Sequence, residues 1–155
     1  MLGVGVQLRR LRAAADTDEL RARLSALLLL HERTSERTAA TVGIEHNLAV
    51  YVGHRCSPAV AADVLDTLIP EIRRHYGETS IESLVASGNR AAFAAMAGAD
   101  AGLSELADVA ARISSQYGSD HAEAMRARQN YHRLTSGRGS DYLDPGRYGE
   151  VETLE

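Results

Sequence analysis

The sequence predicts an all-α protein of about seven helices, arranged as antiparallel pairs stacked one upon the next. Apolar residues recur at spacings of three and four, the pattern of a helix with one buried face. Gly, Pro and short polar residues punctuate the chain between these stretches. Most tellingly, the stretch from Ile72 to Leu134 states one pattern twice. Ile72, His75, Tyr76, Gly77, Asn89 and Ala91 are followed 41 residues later by Ile113, Gln116, Tyr117, Gly118, Asn130 and His132. A step of 42 residues back from Asn89 lands on Asn47, and the same step from Phe93 lands on Tyr51. A fixed period of about 40 residues in a helical chain marks a repeat array, in which each unit buries its apolar face against its neighbours.

The elements follow in order. Residues 3–14 read as a first helix, with Val6, Leu8 and Leu11 apolar and Arg9, Arg10 and Arg12 solvated. Asp16-Thr17-Asp18-Glu19 starts the second, because a capping side chain followed by acids suits the positive end of the helix dipole. It runs to about His31. Thr34-Ser35-Glu36 is expected to open the third helix, which Gly53 ends. Ser57-Pro58 opens the fourth, since Pro fits the first helical turn, and Pro70 inside it is expected to bend it. Gly77 closes that helix. Thr79-Ser80 begins the fifth, which ends at Gly98; a loop through Gly102 leads to a sixth over 103–117, and Gly118-Ser119-Asp120-His121 caps a seventh reaching about Leu134. The helical domain is therefore 1–135. Residues 136–155 carry five acids against two Arg, with two Gly-rich breaks and one Pro, and read as an acidic, flexible tail.

At 155 residues the chain is one domain by size. Its net charge of −4 argues against nucleic acid, whose phosphates call for a basic surface. The single Cys56 cannot form an internal disulfide, which suits a reducing compartment. No apolar run approaches the roughly 18 residues that span a bilayer. Met1-Leu2-Gly3-Val4-Gly5-Val6 lacks the basic leader of a signal peptide. The expectation is a cytoplasmic protein with no membrane association.

Two segments carry a resemblance to a known family. Arg73-Arg74-His75-Tyr76-Gly77 and Tyr117-Gly118-Ser119-Asp120-His121-Ala122-Glu123-Ala124, leading to Arg128-Gln129-Asn130, resemble the tetratricopeptide repeat of the kinesin-light-chain type. In that pattern a helix ends in Leu/Tyr-Gly, a turn follows, and the next helix carries Asn-Asn-Leu-Ala. Asn47-Leu48-Ala49 is the nearest match; Asn89-Arg90-Ala91 and Asn130-Tyr131-His132 depart at the Leu, and Ser119 or Ala122 stands where the turn usually has Pro. The resemblance covers about 34–135, with 3–33 as a degenerate earlier pair. It implies a short right-handed superhelix whose concave wall is lined by the first helix of each pair.

On those first helices one stripe recurs at i, i+4 and i+7: Gly43, Asn47 and Val50; Val85, Asn89 and Ala92; Arg126, Asn130 and Arg133. An Asn holds its centre each time. An amide offers donors and an acceptor, so a ladder of Asn47, Asn89 and Asn130 suits a peptide backbone irrespective of its sequence. The forked guanidinium groups of Arg126 and Arg133 suit a carboxylate, whether acidic or C-terminal, and His46 and Gln129 stand beside the stripe as further donors. The competing use of the same Asn residues is to bond the neighbouring helix and fix the stacking.

Enzymatic motifs are not evident. His54-Arg55-Cys56 has no third ligand at metal-site spacing, no nucleophile elbow surrounds a Ser, and Gly3-Val4-Gly5 follows no strand. No cofactor is expected. The functional expectation is a non-enzymatic module that holds a protein or peptide partner. A ligand-sensing domain working with a DNA-binding partner, suggested by Arg9, Arg10 and Arg12, is the alternative, as is a self-associating module that forms a homodimer.

Overall fold

Five helices of this chain begin at a side chain, Thr17, Thr38, Ser57, Ser80 or His121, that takes up a backbone N–H which the first turn leaves unpaired, whereas the helix after Ala101 starts without one. In the computed structural model, residues 4–33 and 37–137 are described, and they form seven helices and no strand: α1 (Val4–Ala14), α2 (Asp18–Arg33), α3 (Ala39–Arg55), α4 (Pro58–Tyr76), α5 (Ile81–Met96), α6 (Gly102–Tyr117) and α7 (Ala122–Thr135). The fold is all-α, as expected.

Thr38 caps α3 reciprocally: its Oγ1 accepts from Thr41 N at 3.2 Å while Thr41 Oγ1 accepts from Thr38 N at 3.0 Å. Ser57 caps α4 with Pro58 in the first turn, and Ser80 caps α5. His121 Nδ1 accepts from Glu123 N at the start of α7. The two Tyr-Gly ends are structural copies. Gly77 and Gly118 both take φ +101°, a backbone conformation open to Gly. Tyr76 donates its hydroxyl to Ala39 O at 3.1 Å, and Tyr117 donates to Thr79 O at 3.1 Å. Each Tyr thus ties the end of a pair's second helix to the start of its first, which makes α3/α4 and α5/α6 antiparallel.

Packing follows chain order, each helix against the next, with α5 also meeting α7 and α1 meeting α3 and α4. One core runs through the stack, from Leu8, Leu11 and Leu24 through Val50 and Leu65 to Phe93 and Leu106. A smaller cluster of Leu84, Val109, Ile113 and Ala124 joins α5, α6 and α7. Arg37 pairs with the buried Glu45 at the head of α3. Burial drives the Arg37 pKa down, against the opposing pull of Glu71.

Three boundaries differ from the sequence expectation. The third helix starts after Thr38 rather than at Glu36, and residues 34–36 lie outside the described residues. It also runs through Gly53 to Arg55. Gly53 is there for space, not termination: a Cβ built on it would lie 2.6 Å from Ala61 Cβ and 2.7 Å from the Phe93 ring. Gly102 belongs to α6 and is buried, because a Cβ there would lie 2.5 Å from Ala95 N and 2.8 Å from Ala91 O. The two sites are related by the repeat. Gly53 faces Ala61 across α3/α4, and Ala95 faces Gly102 across α5/α6, so the bare position changes sides between pairs. Helix α4 continues through Pro70, which is exposed.

The contact at Gly102 is with backbone, which cannot swing aside. Gly102→Ala is therefore expected to cost about 1–3 kcal/mol by overpacking, with little helix-propensity gain to offset it because Gly102 is the first residue of α6. Gly88→Ala is the comparison, since its Cβ would meet only the Val109 and Leu106 side chains, at 3.3 and 3.9 Å. Urea unfolding of both variants checks this; equal stability of Gly102→Ala and the parent would refute the close approach.

The exposed residues of α7 include Ala122, Met125, Gln129 and His132, a mixed polar and apolar surface. The acidic tail beyond Gly137 lies outside the described residues.

Candidate functional site

Helices α5 and α7 run side by side with α6 behind them, and three of the seven predicted residues meet in the groove between them. Asn89 from α5 and Arg126 and Asn130 from α7 line one cleft, over a floor that includes Val85, Gly88, Leu106 and Val109. The space inside is small, about 20 Å³, room for one water or the end of a side chain. The cleft is a shallow notch, suited to gripping a protruding group rather than enclosing a small molecule.

Its charged groups are Arg126 and Glu123, which form an ion pair across one turn of α7. Both are largely shielded, with side chains 28% and 19% exposed. Glu123 escaped the sequence reading, although its position three residues before Arg126 was the available signal. Asn89 and Asn130 are 5% and 4% exposed, so their amides sit at the bottom of the cleft rather than on an open wall.

The remaining predicted residues lie elsewhere. His46 on α3 is completely buried and joins its neighbours in a polar chain across the stack. Its Nδ1 meets Asn47 Oδ1 at 3.2 Å and its Nε2 meets Asn89 Nδ2 at 3.3 Å. An amide oxygen only accepts and an amide nitrogen only donates, so this arrangement assigns the proton to Nδ1. Burial pushes the His46 pKa down to about 4, with the Asn47 hydrogen bond opposing weakly. His46 therefore bonds α3 to α5 through Asn89, and Asn47 holds the other edge of its ring from the same helix. Gln129 is exposed on α7 and Arg133 half-buried; neither lines the cleft.

Two of the three Arg residues in the basic first helix are engaged: Arg9 with Glu32 at 3.3 Å and Arg10 with Asp63 at 2.7 Å. Among the described residues no group of three or more His, Cys, Asp or Glu is placed to hold a metal ion, and no helix is long and apolar enough to cross a membrane.

Fold and cleft together define the class: an all-α stack of sequentially packed helices with a polar notch between two parallel members. Compared with protein-family models, with curated proteins and with solved structures, the chain matches none.

Proposed function

We propose that the chain is a protein-binding module of the tetratricopeptide-like kind, which grips a carboxylate-bearing segment of another polypeptide at the α5–α7 cleft. The supporting observation is the convergence on one apolar-floored notch of Asn89 and Asn130, whose sequence positions the repeat relates, with Arg126 one turn before Asn130. Arg126 is the anchor. Its guanidinium exchanges the intramolecular carboxylate of Glu123 for one on the partner, and the buried amides receive the adjoining peptide group. The repeat period and the duplicated Tyr-Gly ends support the family resemblance, and with it a cytoplasmic scaffold without catalytic chemistry.

The test is fluorescence anisotropy with labelled acidic peptides and their Asn/Gln counterparts. Acidic peptides are expected to bind, and Arg126→Ala to weaken them about tenfold or more, the loss of one charge-assisted bond. Glu123→Gln, which removes the competing carboxylate, is expected to tighten them. Equal affinity for the neutral peptides, or indifference to Arg126→Ala, defeats the reading.

A further inference from the structure

The repeat exposes an anomaly at the other end of the stack. On α5, Ala86 and Phe93 share a face that is fully buried against the preceding pair, and Arg90 on the same face reaches Asp66 of α4. On α7 the equivalent face carries Ala127, Tyr131 and Leu134, all packed into the main core. The matching positions on α3 are Ile44, Leu48 and Tyr51. Here the pattern breaks: Leu48 touches the core, but Ile44 is 51% and Tyr51 38% exposed. Helices α1 and α2 leave this part of α3 uncovered. One turn on, the Arg55 guanidinium lies over the Tyr51 ring, 5.3 Å from its centroid, with no carboxylate in ion-pair range among the described residues.

We propose that residues 138–155 of the same chain dock on this α3 stripe, their apolar side chains covering Ile44 and Tyr51 and their carboxylates meeting Arg55. Three observations select this occupant. The segment combines Tyr142, Leu143, Val151 and Leu154 with Asp141, Asp144, Glu150, Glu152 and Glu155, so its chemistry complements an apolar stripe ending in a cation. Its point of departure is favourable. The Tyr76–Ala39 and Tyr117–Thr79 bonds make α3/α4 and α5/α6 antiparallel, and successive helices pack in chain order through short turns, so α3, α5 and α7 end on the same edge of the stack. Two helix spacings separate those points, about 20 Å, whereas 18 residues can span up to about 60 Å. Finally, three side chains fall far short of the roughly 800 Å² per partner that a free protein interface needs. A tethered segment meets the stripe at an effective concentration in the millimolar range and needs no such area. This face lies apart from the α5–α7 cleft, and the inference stands whether or not that cleft binds peptide.

The chain has no Trp, so Tyr51→Trp installs a unique reporter on the stripe. Acrylamide quenching is compared between the full chain with that reporter and the same chain with Tyr142, Leu143, Val151 and Leu154 replaced by Ser. Docking predicts quenching at least twofold weaker in the former, unchanged on dilution, and restored to the Ser-variant level by Arg55→Glu. Amide exchange of α3 in the unsubstituted protein gives a reporter-free check, slower with the native segment than with the Ser-substituted one. Equal quenching and equal exchange overturn the proposal, as does protection that disappears on dilution, which assigns the stripe to a second copy.

Discussion

Phe93→Ala is expected to remove about 3–5 kcal/mol of stability, the upper range for truncating a buried aromatic residue and a large share of the 5–15 kcal/mol typical of a domain. The reason is the way the ring is seated. Phe93 is fully buried on α5, and its edge fills the space left by the missing side chain of Gly53 on α3, beside Ala61 of α4. The ring therefore keys three helices at the joint between two repeat units. When it is cut back, the hole between the helices can be filled only by moving whole helices, so most of the cavity cost remains. The same geometry predicts coupling. Gly53→Ala clashes with both Phe93 and Ala61, so in the Phe93→Ala background it loses one of its two obstacles and costs less than in the parent. Urea unfolding of the four proteins in this cycle, with matched m-values, measures both effects. Additive costs would mean that the ring and the glycine do not share the joint.

That joint also shows where the sequence was legible. Helical spacing and local caps set the order of the elements, and the period of about 40 residues related Tyr76 to Tyr117 before either was seen to tie the end of one helix to the start of its partner. Glycines were read by their local habit. Gly77 and Gly118 obeyed it and ended helices; Gly53 and Gly102 are required by a neighbour distant in sequence, and nothing beside them announces it. At the head of α3, Thr34, Ser35 and Thr38 are equally good caps by composition, and local sequence cannot choose among them. The repeat relates Asn89 to Asn130, and helical spacing sets Arg126 one turn before Asn130, but that the three share a cleft without Asn47 is visible only in the structure. What the repeat could not give is depth. Successive helical residues point about 100° apart, so a small rotation of α3 decides whether His46 faces a partner or the interior.

The interior position of His46 gives the second large effect, a loss of stability on mild acidification. The ring is neutral in the folded protein, wedged between Asn47 and Asn89 with its pKa pushed down to about 4, whereas in the unfolded chain it titrates near its ordinary 6.5. The sign follows from proton counting. Between those two values the unfolded state holds a proton that the folded state lacks, so falling pH favours unfolding. The contribution is fully present above the unfolded value and is lost as pH falls through the folded one, about 3 kcal/mol in all, with roughly 2 kcal/mol gone by about pH 5. Structure explains why the folded state resists the proton. A protonated ring would turn Nε2 into a donor facing the Asn89 Nδ2 donor, inside a site that water does not reach. Paired carboxylates also weaken with acid, but Glu71, held below its usual range chiefly by the Arg74 hydrogen bond, titrates in a lower window. His46→Gln separates the two, because Gln keeps a neutral polar group and removes the titration. Urea midpoints at neutral pH and at about pH 5 should fall steeply for the parent and shallowly for the variant. Parallel lines for the two proteins would place His46 in contact with solvent and break the chain of amides that links α3 to α5.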